Sequence, residues 1–256
     1  MAEWMRAKKA AWKRVYVFKD NSLEYSKATA DYFKARFIQL GGKVCGEDSF
    51  VGASNLDLSS QITRLRGAVK NCDAIFDGSW QPYGSQLVKA IRAAGINTPI
   101  TTNASVNGVL VTQVAGKVSN FYAEGFACLP TYCAGTQTPQ VRRIARQFQA
   151  TYHTPLGNHY ALPGYALADA LVAAIKKAGS TDGEKIAAAL FGGGVSVSYF
   201  GSTMKFTEKC HRPQPAVYSI EQFTNGKDKQ IDSWKLKSIP DIKDGSPCSG
   251  TPPSTG

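Results

Sequence analysis

Hydrophobic and polar positions over residues 12–130 alternate between two periodicities. Short apolar, β-prone runs are followed by stretches in which apolar residues recur with the helical period of about 3.6 residues. Strand, helix and strand at this spacing predict βαβ units and a parallel sheet with right-handed crossovers. The predicted strands cover residues 14–18, 43–49, 74–77, 99–102 and 120–126, and the predicted helices cover 25–40, 58–69 and 84–94.

The pattern changes after Pro130. The apolar stripe of a helix must be buried against a sheet or another helix, and residues 131–200 supply helical patterns but little sheet. We therefore expect these helices to need a partner sheet that the chain encodes only in part. Predicted helices cover 137–152, 164–178 and 182–191, and short strands follow at 195–199, 204–206, 216–223 and 230–236, the last two joined by an Asn225-Gly226 turn.

Composition and charge narrow the class of protein. The chain has 256 residues, 43% hydrophobic and 19% charged, with no apolar run approaching the ~18 residues of a membrane span. Its net charge is +11, but the basic residues are scattered over the expected solvent faces of helices. No basic region, zinc finger or aromatic platform accompanies them, so we expect a solvated basic surface rather than a nucleic-acid partner.

The six cysteines are an even number, which fits an exported protein with up to three disulfides among fifteen pairings. Cys128 and Cys133 bracket a short loop that a disulfide would close, and Cys210 would pin the tail by pairing with Cys248. Cys45 and Cys72 each open a predicted strand; they are either neighbours in the parallel sheet or small buried thiols. No CxxC pair exists and histidines are few, so no metal site is predicted.

Enzyme signatures are absent from the sequence. There is no GxSxG elbow, P-loop, HExxH or GxGxxG, and the triple glycine 192–194 lacks the strand-turn-helix setting of a phosphate cradle. We therefore predict no catalytic residue and no cofactor.

A series of short motifs runs from Trp12 to Trp234, and their order and spacing are more informative than any one of them. They are Trp12-Lys13-Arg14-Val15, Tyr25-Ser26, Gly41-Gly42-Lys43-Val44, Cys72-Asp73-Ala74-Ile75-Phe76, Ile91-Arg92-Ala93-Ala94-Gly95 before Pro99-Ile100, Lys177-Ala178-Gly179-Ser180-Thr181-Asp182-Gly183, and His211-Arg212-Pro213 with Val217-Tyr218. Together they resemble the branched-chain amino-acid (Leu/Ile/Val) type of ABC-transporter solute-binding protein.

The resemblance implies a type I periplasmic-binding fold, an α/β fold with two flavodoxin-like lobes on parallel sheets, of which the first is incomplete here. Residues 12–130 would form the second lobe, 131–200 the helical remainder of the first lobe, 201–239 strands returning to the second lobe, and 240–256 a disordered tail. In this family the first-lobe segment that precedes the position of Trp12 carries Ser/Thr and backbone groups that grip the ligand, and the resemblance implies that this segment is missing here. We therefore expect this chain to bind ligand weakly or not at all.

The function that the resemblance implies is that of a non-catalytic component of an ABC importer. It would bind an amino acid or similar small polar solute between the lobes, close by hinge motion, and deliver the solute as a monomer to membrane permease subunits. The expected location is periplasmic or extracellular, free or held by a lipoprotein anchor, although residues 1–9 are not a signal peptide because no apolar segment follows their positive charges. The alternative is a sensor module of the same fold, such as an amide sensor or receptor ectodomain.

Ligands in open α/β sheets bind at the carboxyl ends of strands, which points to Tyr25, Ser79, Trp80 and Asn103. By resemblance, all of these except Ser79 match second-lobe positions that contact ligand, where an aromatic ring would wall an apolar group or stack on a cation. The alternatives are that Tyr25 only packs on the lobe and that Trp80 is a partly buried core residue. Amino-acid binders often carry an acid near Asn103; here Ala104 follows, which argues against an ordinary α-amino acid.

Overall fold

The computed structural model describes residues 1–200, 202–208, 210–214, 217–240 and 242, and two sheets organise this part of the chain. The strands are β1 (Arg14–Asp20), β2 (Lys43–Phe50), β3 (Ala74–Gly78), β4 (Ile100–Thr102), β5 (Phe121–Gly125), β6 (Cys133–Ala134), β7 (Ser196–Tyr199), β8 (Ser202–Thr207), β9 (Cys210–Gln214), β10 (Val217–Thr224) and β11 (Lys227–Lys235). The large sheet has the order β2-β1-β3-β4-β5-β10-β11-β6, and the small sheet has the order β7-β8-β9. Strands β1 to β5 pair in parallel, which confirms the predicted α/β fold with a mostly parallel sheet.

The helix boundaries follow local signals. Thr138 caps α6 by accepting a hydrogen bond from the Val141 N–H (3.2 Å), and Asp182 caps α8 through the Lys185 N–H (3.0 Å). Helix α7 ends at Gly179, whose φ of 57° suits a residue without Cβ. The helices are α1 (Ala2–Lys8), α2 (Glu24–Gln39), α3 (Ser59–Ala68), α4 (Tyr83–Ala93), α5 (Val109–Ala115), α6 (Pro139–Tyr152), α7 (Ala161–Ala178) and α8 (Gly183–Ala189). In the described part of the chain, no helix has both the length and the apolarity to span a membrane.

The centre of the large sheet is covered on both faces, so the inner parallel strands β1 and β3 are buried on both sides, whereas the edge strand β2 is partly exposed. Helices α3, α4 and α5 pack on one face, and α1 and α2 pack on the other. Adjacent residues of β3 therefore enter different cores: Ile75 belongs to the first and Phe76 to the second, and both are buried. The predicted helices and strands of residues 14–126 all occur, with boundaries that differ by a few residues.

Helix α1 is an element that the hydrophobic pattern did not predict. It is short, and tertiary packing stabilises it, because Trp4 and Met5 are fully buried on the large sheet. Glu3 accepts hydrogen bonds from the Arg36 guanidinium (2.6 Å) and the Trp234 indole (3.1 Å). Burial by itself would raise the pKa of Glu3, but these hydrogen bonds, one from the Lys237 N–H and the Arg36 charge lower it.

The small sheet supplies part of the partner surface expected for the later helices. It packs with α6, α7 and α8 around a third core, separate from the two cores of the large sheet. Strand β8 pairs with β7 on one edge and with β9 on the other, so the chain returns to the large sheet at Val217, whereas the predicted returning segment begins at residue 201. The reason is local antiparallel pairing, which β8 satisfies on both edges. Most of the predicted 240–256 tail lies outside the described residues.

Helix α7 buries its small residues and exposes its large ones. Ala166, Ala170 and Ala174 are fully buried in the core that α7 shares with the small sheet. On the opposite face the three large apolar side chains are about half exposed: Leu167 at 49%, Leu171 at 50% and Val172 at 49%. No described helix or strand covers these three residues, which we call the exposed patch.

Within the described residues, two disulfides lie at opposite ends of the large sheet. One joins Cys45 in β2 to Cys72 just before β3, and the other joins Cys128 to Cys133 across the predicted short loop. The sequence left open whether Cys45 and Cys72 are neighbours in the parallel sheet or small buried thiols. The two residues are bonded, although β1 lies between β2 and β3. The bond forms because Cys72 belongs to the turn before β3 and not to the strand itself. The side chain of Cys210, and Cys248 altogether, lie outside the described residues.

Candidate functional site

A pocket of about 410 Å³ opens at the carboxyl ends of the parallel strands. Two of the predicted ligand residues line it: Tyr25, in the first turn of α2, and the half-buried Trp80, which follows β3. The Trp80 indole N–H donates to Ser22 Oγ (3.2 Å), which fixes the ring beside the opening. The other lining residues are Leu23, Gln81, Ser105, Asn158 and Tyr160.

Ser79 and Asn103, the other two predicted residues, are buried and bonded within the protein. Asn103 Oδ1 accepts hydrogen bonds from Tyr25 Oη (3.2 Å) and from the Ser105 N–H (2.7 Å), and its amide donates to the Ser79 carbonyl (2.7 Å). Asn103 therefore holds together the loops after β3 and β4. In this structure Ser79 supports the pocket from below, while Asn103 links α2 to both loops.

Tyr25 and Tyr160 connect the two sides of the pocket. Their hydroxyls are 2.7 Å apart, and because the Tyr25 proton is donated to Asn103, Tyr160 donates to Tyr25. Tyr160 immediately precedes α7, so this hydrogen bond joins the large-sheet unit to the α6–α8 unit. Burial raises the pKa of both phenols, and the neighbouring hydroxyl of Tyr25 raises the pKa of Tyr160 further. Both stay neutral donors and acceptors at physiological pH.

A second cavity of about 380 Å³ adjoins the first and shares Tyr25 and Tyr160 as lining residues. Phe126 and Tyr218 add aromatic walls, and Glu124 of β5 adds a carboxylate. The α-amino group of Met1 lies 2.8 Å from Glu124 Oε2, so the carboxylate accepts an ammonium donor at this position. Glu3 also lines this cavity, but its carboxylate is bonded to the Arg36 guanidinium. Aromatic walls beside a carboxylate suit a small molecule with an apolar body and a polar or cationic end.

A buried carboxylate lies beneath the pocket. Asp77, at the end of β3, is fully buried, and its Oδ1 accepts from the Ser79 N–H (3.1 Å) and from Ser79 Oγ (2.5 Å). Burial raises the pKa of Asp77, the hydrogen bonds from Ser79 lower it, and the charge of the nearby Asp20 raises it. The net result is a pKa of about 7. Asp77 thus fixes the turn that presents Trp80 and titrates near neutral pH.

Several lining residues were missed by reasoning from the sequence. Ser105, Asn158 and Tyr160 lie in loops whose approach depends on tertiary packing, and no periodic pattern marks them. Glu124 had a usable signal, since it is a carboxylate inside the otherwise apolar strand 121–125 that ends at the expected ligand edge. Among the described residues, one cluster has metal-ligand character, Cys133 with Glu221 and Asp228, and it lines neither cavity.

Comparison with known proteins gives a consistent result. A sequence profile described as "Periplasmic binding protein" matches residues 1–227. The leucine-, isoleucine-, valine-, threonine- and alanine-binding protein of Pseudomonas aeruginosa is 27% identical over 168 residues, 65% of this chain and 42% of that protein. The chain therefore spans less than half the length of this curated relative.

Solved structures show the same fold. The leucine-binding protein LivK of Thermotoga maritima has a TM-score of 0.70 at 22% identity, over 91% of this chain and 63% of its own. LivJ of Streptococcus pneumoniae, in complex with isoleucine, has a TM-score of 0.71 at 19% identity, over 93% and 63%. A solute-binding protein of R. palustris in complex with benzoate has a TM-score of 0.72 at 15% identity, over 91% and 61%.

Proposed function

This chain belongs to the periplasmic binding protein family, and from that premise we propose that it is the solute-binding component of an ABC importer. It binds an amino acid or a similar small polar solute between two lobes that close by a hinge motion, and it passes the solute to permease subunits in the membrane. We propose an extracytoplasmic location, as expected for this family. Binding, rather than catalysis, is the activity of the relatives.

The observation that carries this proposal is the pocket that Tyr25 and Tyr160 span. It lies where open α/β sheets bind ligands, at the carboxyl ends of β1, β3 and β4. Its walls come from two units, the large sheet and the segment leading into α7. A ligand that contacts both units stabilises the arrangement in which they are closest, which is the physical basis of hinge closure.

The chemistry of the pocket restricts the solute. Trp80, Tyr25 and Tyr160 supply rings, whereas Gln81 and Asn158 supply neutral polar groups. No charged side chain lines the pocket among the described residues. The carboxylates of the adjoining cavity, Glu3 and Glu124, are paired with Arg36 and with the α-amino group of Met1. We propose a solute with an apolar or aromatic body; neighbouring structures hold isoleucine, benzoate and 3,4-dihydroxybenzoic acid.

The test uses the indole N–H groups of the four tryptophans as reporters in ¹H–¹⁵N NMR spectra. Isoleucine, leucine, benzoate and 3,4-dihydroxybenzoate are titrated into the ¹⁵N-labelled chain. We expect a saturable shift of the Trp80 resonance with a Kd of about 1 mM or weaker, since the chain spans only 61–63% of the length of the solved structures named above. The resonances of Trp4 and Trp12 should not move, because neither residue lines the pocket or the adjoining cavity.

Variants distinguish a pocket effect from a general one. Tyr25→Phe keeps the ring but removes the hydrogen bonds to Asn103 and Tyr160, so it should weaken binding by about 5- to 10-fold. Tyr152→Phe is the matched control, because Tyr152 is 61% exposed and lies at the end of α6. If no solute moves Trp80, or if all four indoles shift together, the proposed site is wrong.

A further inference from the structure

A carboxylate at the ligand edge of the large sheet holds an ammonium group. Glu124 lies near the end of β5. The pairing of Thr101 with Tyr122 between β4 and β5 places it level with Asn103, two residues further along. Its Oε2 accepts a hydrogen bond from the α-ammonium of Met1 (2.8 Å), and its side chain is only 17% exposed. A hydrogen bond between two charged groups is strong, and partial burial strengthens it, so Glu124 forms a position that selects an ammonium.

The ammonium that Glu124 holds belongs to the first turn of a short helix. Met1 is the N-cap of α1, which has seven residues and no side-chain cap in the described chain. The rest of α1 is anchored, because Trp4 and Met5 are fully buried on the large sheet. Helix ends fray, so fraying of the first two residues frees the carboxylate while the rest of α1 stays in place.

The cavity around this carboxylate fits an apolar body. Its volume is about 380 Å³, and Phe126, Tyr160 and Tyr218 line it with aromatic rings. The ring centre of Phe126 lies 5.3 Å from that of Tyr160 and 6.1 Å from that of Tyr218, so the three rings form one continuous wall. Aromatic faces attract cations as well as apolar groups, and the same wall therefore suits both ends of an amphipathic amine.

The charges that line the cavity favour a cation over an anion. Among the described lining residues, the charged side chains are Glu3, Arg36 and Glu124. Glu3 and Arg36 form a salt bridge of 2.6 Å and compensate each other. Displacement of the Met1 ammonium therefore leaves one uncompensated negative charge, which a ligand ammonium neutralises and a ligand carboxylate repels.

We propose that Glu124 selects a primary amine with an apolar or aromatic body, which binds in this cavity by exchanging with the α-ammonium of Met1. The proposal rests on the proposed function for the kind of ligand, a small solute, and adds the charge of that solute and the residue that recognises it. The Met1 ammonium acts as a tethered competitor. An acetyl group or a further residue on Met1 removes that competitor and leaves Glu124 open to the amine.

The experiment compares two probes of similar length and opposite charge, phenethylamine and hydrocinnamate, in ¹H–¹⁵N NMR titrations. Trp234 lines the cavity and Trp80 lines the neighbouring pocket, so their indole N–H resonances report the two sites separately. We expect the Trp234 resonance to show at least ~10-fold tighter binding of the amine than of the acid, since a hydrogen bond to a charged group is gained. Acetylation of the Met1 amino group should tighten amine binding by at least ~5-fold, because more of the chain is then competent to bind.

Glu124→Gln keeps the shape of the side chain but removes its charge, and it should weaken amine binding by at least ~10-fold. Glu24→Gln is the matched control, because it makes the same chemical change at an 88% exposed position and should leave the amine affinity unchanged. Circular dichroism establishes that Glu124→Gln folds. If it does not fold, the acetylated chain and the comparison of the two probes test the proposal.

Equal affinities for the amine and the acid would overturn the proposal, as would an unchanged amine affinity in folded Glu124→Gln or in the acetylated chain. The two resonances separate this proposal from the proposed function. Solutes that shift Trp80, together with an amine that never shifts Trp234, would overturn the amine site and leave the pocket. A saturable shift of Trp234 by the amine, with Trp80 unmoved by any solute, would support the amine site and overturn the pocket.

Discussion

At the scale of single residues, the geometry of the site depends on buried side chains that are bonded within the protein. Asn103 and Ser79 follow buried strands and were predicted from the sequence as ligand residues, yet their polar atoms bond other loops. Tyr25 and Trp80 were predicted by the same rule and do line the pocket. Strand position identifies the edge of the sheet, but which side chain turns inward depends on partners elsewhere in the chain, such as Tyr160.

Asp77 makes the free energy of unfolding fall as the pH rises, which is the opposite of the effect of a carboxylate whose pKa is lowered by folding. Its pKa is raised from 3.8 to about 7 in the folded protein, so the folded state holds a proton that the unfolded state has lost. The contribution of Asp77 to stability is full below about pH 4 and is lost as the pH rises to about 7.

The Asp77→Asn variant keeps the acceptor for Ser79 but cannot ionise. We expect its stability relative to the wild type to improve by at least ~1 kcal/mol between pH 5 and pH 8, measured as the free energy of unfolding in urea. Asp48→Asn is the control, since Asp48 pairs with Arg64 at the surface. A constant difference between Asp77→Asn and the wild type across this range would contradict the assignment.

At the scale of elements, the chain is predictable where periodicity and burial coincide. The strands and helices of residues 14–126 follow from apolar runs, because each buries a continuous face. The apolar pattern does not predict helix α1, strand β6 or the pairing of β8 with β7. Helix α1 and β6 are short, and all three features depend on tertiary contacts.

The two disulfides should differ in their contribution to stability. They close loops of 27 and 5 residues, for which chain entropy predicts about 3.5 and 2 kcal/mol respectively. We therefore expect C45S/C72S to lower the free energy of unfolding more than C128S/C133S, as measured in urea. The reverse order would show that the buried surroundings of Cys128 and Cys133, rather than loop length, dominate.

Helix α7 allows a comparison between its two faces. Leu171→Gln, in the exposed patch, should change the free energy of unfolding, measured in urea, by less than ~0.5 kcal/mol. Ala170→Leu, on the adjacent buried face, should cost about 1–3 kcal/mol because it overpacks a filled core. The assignment of faces fails if Leu171→Gln is the more destabilising change.

At the scale of the whole molecule, the described chain consists of one well-covered unit and one partly covered unit. The large sheet has helices on both faces, whereas the small sheet leaves the patch of Leu167, Leu171 and Val172 open. The chain spans 42% of the curated relative and 61–63% of the first three solved structures named above. The sequence pattern anticipated this imbalance, because residues 131–200 supply the three helices α6, α7 and α8 but little sheet, namely β6 and β7.

The contact made by Glu3 has a kinetic consequence. Its carboxylate accepts from the Lys237 and Ser238 N–H groups, which are 234 and 235 residues away along the chain. A contact that closes so long a loop forms late, after the transition state for folding, because its entropy cost is recovered only once the intervening structure exists. Glu3→Gln should therefore leave the refolding rate almost unchanged and accelerate unfolding, with a φ-value near zero in stopped-flow measurements. The persistence of the folded chain over time, more than the speed of its formation, then rests on this side chain.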